Sequence, residues 1–351
     1  MKGLLVIATI AVSLGSETWP HTAAAPAMVG FSFTPVNSER SGRDPVHDLS
    51  VLLSATDPDI VRLPIYWEYV EPTLGRFDFS SVDSLLAVVA AHNASSARQT
   101  RVVLSVGVRN FVYPELHQPE WAGPREQPFI TEAATGLDYR AYFTASVARY
   151  RGSPLLYAWQ VENEPLDVVG NFFTGVDDID PAQLAWEIDE VHRLDPARKV
   201  MTTTYNGWNV GVDMLQVYAT PLLQLLHGYP SGHPEQTLEA GDVLGLDLYL
   251  EGPSIPLKFT SVDLRAEWKQ QTLAFWSAQA RAAGKELWLA EMQAEPWSGS
   301  AAFTPSDLVD SARDYRQADL QVVLMWGVNS WLTDPAWMKA GIQAMDILRA
   351  A

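Results

Sequence analysis

Several acidic side chains directly follow an apolar run in the segment WQVENEPLD, residues 159–167. Burying such a group without a partner is costly, so the segment is either a solvated loop or a place where a carboxylate is needed. A second apolar run, ELWLAEM at residues 286–292, also carries a glutamate near its end. If the fold brought Glu164 and Glu291 together, the two carboxylates could act on one bond as proton donor and nucleophile.

Eight short apolar runs alternate with longer segments of helical pattern, and these runs predict strands. They are nearly continuous, as expected of parallel strands that are covered on both faces. They lie at residues 28–33, 60–65, 101–108, 155–161, 199–205, 243–250, 286–292 and 322–328. Strands that alternate with helices in this way predict an α/β fold of the (β/α)8, or TIM barrel, type.

The helical segments between the runs begin with recognisable signals. A capping residue followed by proline opens three of them, at Asp180-Pro181, Thr304-Pro305 and Asp334-Pro335. Further helical patterns cover residues 81–92, 138–150 and 263–283. No linker or repeat indicates a second domain, so residues 28–351 are predicted to form one catalytic domain. Its insertions follow strands, at residues 109–137, 166–179 and 206–240.

Composition excludes several kinds of chemistry and partner. The net charge of −18 argues against a nucleic-acid partner, which would need basic patches. The absence of cysteine excludes disulfides, thiolate catalysis and cysteine-ligated zinc. The seven histidines are dispersed and form no HExxH motif, so no metal and no other cofactor is predicted. The 13 tryptophans suit an uncharged sugar as the partner as well as they suit packing in a large barrel.

The N-terminus predicts a secretory signal peptide over residues 1–27. Lys2 gives the positive start, the stretch from Gly3 to Leu14 is apolar but too short to span a bilayer, and Ala23-Ala24-Ala25 offers small residues for cleavage. No later run reaches 18 uninterrupted apolar residues. The mature form is therefore expected to be extracellular and not held in a membrane.

Polar and aromatic residues gather at the carboxyl ends of the predicted strands, which is where such barrels build their active sites. From the second strand to the eighth they are Arg62, Asn163, Glu164, Asp247, Tyr249, Glu291 and Trp326. The two glutamates would lie nearly opposite each other across the mouth. Glycoside cleavage needs such a pair, one acid for the leaving oxygen and one carboxylate for the anomeric carbon. Arg62 and Tyr249 could keep the nucleophile ionised, and Asn163 could bind the 2-hydroxyl of the sugar.

The sequence NEP at residues 163–165, together with Glu291 on the seventh strand, resembles clan A of the glycoside hydrolases. That resemblance implies a retaining (β/α)8 enzyme in which Glu164 matches the acid/base and Glu291 the nucleophile. Arg62 matches the second-strand arginine of the clan, Tyr249 the tyrosine beside the nucleophile, and Trp326 the indole beneath the sugar. The segment WEYVEPTLGRFDF, residues 67–79, is similar to the same region of families 5 and 42.

Departures from the family pattern leave other positions open. Family 5 has His-x-Tyr on the sixth strand, where this chain has Asp247-Leu248-Tyr249, and the third-strand histidine of that family has no match. His117 in a later loop is the candidate for a similar task. Asp247 and His117 could contact substrate or brace loops, and the same choice between sugar stacking and packing applies to Trp297 and Trp331.

Each catalytic glutamate has a neighbour that rivals it. Glu162 precedes Glu164 by two residues and has the same parity on an ideal strand, and Glu295 lies just beyond Glu291. With Glu164 and Glu291 as the preferred pair, the sequence predicts a retaining hydrolase of β-linked oligo- or polysaccharides, favouring an endo-β-glucanase or β-mannanase. The alternatives are an exo-acting β-glucosidase or β-galactosidase, and a carbohydrate-binding barrel without turnover.

Overall fold

The computed structural model describes residues 27–113, 115–123, 135–166, 179–206, 234–250, 262–296 and 303–350. The predicted signal peptide, Trp297 and the central parts of the predicted insertions lie outside the described residues.

Eight parallel strands pair in chain order and close into a barrel, which confirms the predicted (β/α)8 fold. The strands are β1 Met28–Ser32, β2 Ile60–Tyr66, β3 Arg101–Gly107, β4 Leu156–Val161, β5 Val200–Asn206, β6 Val243–Leu248, β7 Glu286–Gln293 and β8 Val322–Trp326. Each apolar run became a strand because its side chains are buried on both faces, inside the barrel and beneath the helices.

Ten α-helices of the described residues connect or cover the strands. They are Pro35–Arg40, Pro45–Thr56, Trp67–Val70, Ser80–Ser95, Thr135–Tyr150, Pro181–Leu194, Pro234–Ala240, Val262–Ala282, Pro305–Tyr315 and Pro335–Arg349, with 3-10 turns at Glu120–Ala122 and Val328–Leu332. The sequence interpretation missed Pro35–Arg40, Pro45–Thr56, Trp67–Val70 and Pro234–Ala240. Among the described residues, none of the helices is both long and apolar enough to cross a membrane.

The predicted helix starts at Asp180 and Asp334 have the expected geometry. The Asp180 carboxylate accepts from the backbone nitrogen of Ala182 at 2.7 Å, and the Asp334 carboxylate accepts from that of Ala336 at 2.8 Å. Asp44 caps the helix Pro45–Thr56 in the same way, accepting from the Val46 nitrogen at 3.0 Å. The cap-then-proline signal was therefore present at the missed helix as well.

The inside of the barrel is closed below its mouth by apolar side chains. This inner cluster consists of Ile60, Val103, Ala158, Met201, Val243, Trp288, Ala290, Val322 and Leu324. Its packing is tight enough that a Cβ added at Gly245 would lie 2.8 Å from Thr203 and 3.0 Å from Ala290. A much larger cluster lies between the strands and the helices. The polar groups at the upper strand ends therefore sit on a solid floor.

Candidate active site

An irregularity in β7 determines which way Glu291 points. Ala290 belongs to the inner cluster and Leu289 to the outer one, so simple alternation would send Glu291 outward. However, β6 pairs Leu246 with Leu289 and then Asp247 with Glu291, which leaves Ala290 as an extra residue in β7. This bulge turns Glu291 to the same side as Ala290, towards the barrel interior.

Both oxygens of the Glu291 carboxylate accept hydrogen bonds. Arg62 Nη2 donates to Oε1 at 2.7 Å in a buried ion pair, and the Tyr249 hydroxyl donates to Oε2. Burial raises the pKa of Glu291, whereas the positive charge of Arg62 and the hydroxyl of Tyr249 act in the opposite direction and favour the carboxylate. The site thus holds a buried carboxylate whose charge depends on these two donors.

The Arg62 guanidinium is fixed by its surroundings. Nε donates to Ser32 Oγ and Nη1 to Gln160 Oε1, each at 2.8 Å, and Cζ lies 3.9 Å from the centre of the Phe111 ring. The side chain is fully buried. Protein groups thus enclose the guanidinium and hold it against Glu291, and a direct contact of Arg62 with substrate stays a prediction.

Glu164 follows β4 in a turn whose backbone is anchored at both ends of the residue. Its nitrogen donates to Thr203 Oγ1 at 2.8 Å, and its carbonyl accepts from Arg109 Nη1 at 2.9 Å. Its φ of 46° lies in the left-handed region, a conformation that costs on the order of 1–3 kcal/mol and persists only when surrounding contacts enforce it. These contacts fix the backbone position from which the half-buried Glu164 side chain extends.

Three carboxylates converge at the mouth. One oxygen from each of Glu164, Asp247 and Glu291 lies within 4.8 Å of the others. The structure thus brings together the two glutamates expected to be catalytic and adds the fully buried Asp247 to them. Three oxygens at this spacing would also be close enough to share a cation, so the expectation that no metal takes part stays a prediction.

Glu162 points away from this convergence. Its φ of 58° breaks the strand alternation that would have placed it on the same side as Glu164. Its carboxylate accepts from the backbone nitrogens of Val108 at 2.9 Å and Arg109 at 2.6 Å, and from the Tyr139 hydroxyl at 3.0 Å. These partners lie behind the barrel wall, so the geometry favours Glu164 over Glu162 as the acid.

Glu295, the rival of Glu291, lies beyond the end of β7 and is not one of the three converging carboxylates. Gly327 has a φ of 97°, and a Cβ added there would lie 2.2 Å from Glu295 Cγ, so the two residues pack directly together. Burial raises the pKa of Glu295 to about 7. The geometry favours Glu291 as the nucleophile.

Asn163 and Trp326 lie beside these groups. The Asn163 Oδ1 accepts from Gln160 Nε2 at 3.1 Å and from Thr203 Oγ1 at 3.4 Å, which orients the amide so that its N–H groups can donate elsewhere. Trp326 donates its indole N–H to the Phe111 carbonyl at 2.8 Å, and its ring meets that of Tyr249 edge to face at 5.7 Å. The half-buried indole is thus held next to the tyrosine that contacts Glu291.

For two residues that the sequence left open, the structure favours the bracing and packing alternatives. The His117 ring is buried, pairs with Glu68 at 2.8 Å through Nδ1 and stacks on Tyr66 at 4.0 Å, so it braces its loop. Trp331 is 2% exposed, donates its N–H to the Ala294 carbonyl, and packs so closely on Gly341 that a Cβ there would lie 2.2 Å from the indole. Neither ring is placed to stack on a sugar. Trp297, the remaining candidate, lies outside the described residues.

The sequence interpretation did not select Gln160, Thr203 or Arg109. Gln160 bridges Arg62 and Asn163, and its position two residues after the inward-facing Ala158 was a usable signal. Thr203 and Arg109 anchor Glu164 from β5 and from the segment after β3. Those links depend on contacts between distant parts of the chain, and no local pattern marks them.

Comparisons with known proteins support the resemblance to glycoside hydrolases. No family model matches the chain. It is 26% identical over 156 residues to endo-1,4-beta-xylanase A of Thermoanaerobacterium saccharolyticum, covering 43% of this chain and 13% of that protein. It is 35% identical over 130 residues to a probable mannan endo-1,4-beta-mannosidase C of Aspergillus terreus, covering 34% of this chain and 32% of that protein. The chain thus spans at most about a third of the length of these curated relatives.

Solved structures share the fold. GH5_18 from Streptomyces cattleya, in complex with GlcNAc, superposes with a TM-score of 0.62 at 18% identity, over 87% of this chain and 71% of that one. An exo-beta-1,4-mannosidase from Opitutaceae bacterium strain TAV5 gives a TM-score of 0.60 at 16% identity, over 93% and 60% of the two chains. Relatives and structural neighbours are both named as glycoside hydrolases, which confirms the resemblance predicted from the sequence.

Proposed function

We propose that this protein is a retaining hydrolase of β-linked glycosides, with Glu291 as nucleophile and Glu164 as acid/base. The observation that carries the proposal is the distance of at most 4.8 Å between an oxygen of Glu164 and one of Glu291. Retaining glycosidases separate their two carboxyl groups by about 5–5.5 Å, and inverting enzymes by about 6.5–9.5 Å to make room for water. The short distance between these two oxygens supports the retaining rather than the inverting arrangement.

The reaction has two displacements. A Glu291 oxygen bonds to the anomeric carbon while the glycosidic C–O bond breaks, and the proton of Glu164 goes to the departing oxygen. The ionised Glu164 then takes a proton from water, whose oxygen bonds to the anomeric carbon as the ester to Glu291 breaks. Arg62 and Tyr249 stabilise the negative charge of Glu291 before attack and after release. Asn163 donates to the 2-hydroxyl of the sugar, and Trp326 lies against its ring.

We favour an endo-acting enzyme on β-mannan or a β-glucan. The name of the Aspergillus terreus relative supports mannan, and the exo-mannosidase among the structural neighbours supports the same sugar with the exo mode of action. The exo-acting β-glucosidase or β-galactosidase is therefore kept as the alternative, and a β-galactosidase is also among the structural neighbours. A carbohydrate-binding barrel without turnover is disfavoured because both carboxylates are present and converge.

We also propose that the protein is secreted after removal of a signal peptide that ends near residue 27, from the pattern of charged, apolar and small residues described above. N-terminal sequencing of protein recovered from the medium of the expressing cells tests this. A first residue close to Met28 is expected, and recovery of the intact chain inside the cells only would contradict it.

The proposed activity is tested by assaying purified protein on β-mannan, β-glucan, xylan and aryl β-glycosides, followed by NMR of the first-formed anomer. We expect the product to keep the β configuration. Glu164→Ala should remain active on substrates with a good leaving group and should be accelerated by azide, because azide then replaces the water that Glu164 activates. Glu162→Ala keeps the Glu164 carboxyl group, which leaves no space for azide at the site, so this variant should show no acceleration by azide. A first-formed α product, or azide rescue of Glu162→Ala alone, would contradict the assignment.

A further inference from the structure

We infer that Glu162, buried behind the barrel wall, is a positioning residue for the acid/base Glu164, acting through the turn after β3 and through Arg109. The inference rests on the proposed function. It concerns a carboxylate that lies outside the converging three and that the two-displacement reaction does not use.

The first link joins Glu162 to the turn after β3. The backbone nitrogen of Val108 donates to Oε1 at 2.9 Å and that of Arg109 to Oε2 at 2.6 Å, so each carboxylate oxygen holds one N–H of the turn. Gly107 makes this approach possible, because a Cβ there would lie 2.5 Å from the carboxyl carbon of Glu162. The arrangement needs an acceptor at both positions, which a carboxylate provides and an amide does not.

The second link joins that turn to Glu164. The Arg109 side chain is buried, and its Nη1 donates to the Glu164 carbonyl at 2.9 Å while Nε donates to Glu115 Oε2 at 3.2 Å. Because Glu162 fixes the backbone nitrogen of Arg109, it also fixes the origin of the guanidinium that holds Glu164. The left-handed conformation of Glu164 needs such restraint.

A second buried carboxyl group supports Glu162 from behind. The Tyr139 hydroxyl lies 3.0 Å from Glu162 Oε1 and 2.7 Å from Glu187 Oε1, and it has only one hydrogen to donate. Burial and the charge of Glu162 raise the pKa of Glu187 well above its ordinary value, and burial also raises the pKa of Glu162, whose carboxylate form the two backbone N–H groups favour. A neutral Glu187 can donate to the Tyr139 oxygen, whose hydrogen then points to Glu162. The backbone N–H groups of Val108 and Arg109, one on each oxygen, favour placing the negative charge of the pair on Glu162.

These contacts make Glu162→Gln and Glu187→Gln a matched pair of isosteric substitutions. In Glu162→Gln the new NH2 group must face the N–H of either Val108 or Arg109, so one hydrogen bond is replaced by a repulsion between donors. In Glu187→Gln the amide oxygen can accept from Gln183 and from Tyr139, whose hydrogen then turns away from Glu162, but both backbone N–H groups of the turn keep their acceptors. Only the first change should disturb the turn that leads to Glu164.

The readout is the dependence of kcat/KM on the leaving group, measured with a β-glycan and with a dinitrophenyl β-glycoside. General acid catalysis contributes roughly 100-fold or more when the leaving group is poor and little when it is good. We expect Glu162→Gln to lose on the order of 30-fold or more on the glycan and less than about 3-fold on the dinitrophenyl glycoside, a smaller version of the Glu164→Ala pattern. Glu187→Gln should stay within about 3-fold of wild type on both.

An equal loss on both substrates, or no loss, in Glu162→Gln would overturn the inference while leaving the proposed function intact, provided that Glu164→Ala shows the leaving-group dependence. If Glu164→Ala itself lacks that dependence, the proposed function fails and the inference with it. Should Glu162→Gln not fold, Arg109→Lys tests the same connection, because a lysine cannot reach both the Glu164 carbonyl and Glu115. Arg109→Lys should show the same leaving-group dependence. An equal loss of kcat/KM on both substrates would count against the inference.

Discussion

Tyr249→Phe removes one of the two donors that keep the proposed nucleophile charged, and it changes little else. The hydroxyl donates to Glu291 Oε2, whereas Arg62 remains at 2.7 Å from Oε1. The tyrosine is buried, and its ring packs edge to face on Trp326, a contact that phenylalanine keeps. The substitution therefore removes the hydrogen bond to Glu291 while it keeps the aromatic ring in place.

The size and sign of the effect follow from that bond. A hydrogen bond to a charged group is worth about 1.5–3 kcal/mol, and about 1.4 kcal/mol corresponds to one pH unit in a pKa. Losing the hydroxyl destabilises the charged form of Glu291, whose pKa burial already raises. The pKa should therefore rise by a further one to two units, roughly. Because attack requires the carboxylate, the acidic limb of the pH profile of kcat/KM should move to higher pH by the same amount.

The assay measures kcat/KM on an aryl β-glycoside between about pH 4 and 9, with Tyr66→Phe as the matched control. The Tyr66 hydroxyl is also buried, and it has no hydrogen-bond partner among the described residues. Tyr66→Phe should leave the acidic limb where it is. An acidic limb that stays in place or moves to lower pH in Tyr249→Phe would refute the argument that this hydroxyl stabilises the charged nucleophile.

Three further outcomes are expected. Trp326→Ala should lower kcat/KM by at least about 10-fold with a much smaller effect on thermal stability, since loss of a face for the sugar costs roughly 1–3 kcal/mol, and the reverse pattern would make the indole a packing residue. Glu295 keeps its proton in the fold up to a pKa of about 7 against an ordinary 4.5, so the stability it contributes is full below pH 4.5 and is lost as the pH rises through 7. Glu295→Gln should therefore be more stable than wild type at pH 8, by up to roughly 3 kcal/mol in urea unfolding, and nearly equal to it at pH 4, whereas an equal difference at both pH values would contradict the buried neutral acid. Dialysis against EDTA should leave kcat unchanged, and a loss that Ca²⁺ or Mg²⁺ restores would show that the three carboxylates hold a functional cation.

The barrel could be predicted because each of its strands is a nearly continuous apolar run in the sequence. Every run became a strand, since burial on both faces leaves little room for polar residues. The helix Pro45–Thr56 was missed although Asp44 and Pro45 give the same starting signal that identified Pro181–Leu194 and Pro335–Arg349. The signal for this helix is therefore present in the sequence.

The site was less predictable because side-chain direction at the strand ends departs from alternation. Alternation alone would turn Glu291 outward and would place Glu162 on the same side as Glu164. The bulge at Ala290 and the left-handed conformations of Glu162 and Glu164 reverse both expectations. Such departures are held in place by contacts from other strands, and a local pattern cannot show them.

The roles of the tryptophans near the end of β8 also could not be predicted from a local sequence pattern. Trp331 follows β8 at a place that suited a sugar contact, but Gly341 on the following helix leaves a space that the indole fills. The fit depends on how the helix Pro335–Arg349 packs, which only the folded chain determines. Trp326, at the end of β8, keeps a half-buried position beside Tyr249.

Covalent trapping identifies the nucleophile. An activated 2-deoxy-2-fluoro β-glycoside should label the protein once, because the fluorine slows the second displacement more than the first. Fragmentation of the labelled peptide distinguishes Glu291 from Glu295, which lie close together in the sequence. We expect the added mass on Glu291 and no labelling of Glu291→Gln. A label on Glu295, or turnover with inversion and no label, would rule out Glu291 as the nucleophile of a retaining reaction.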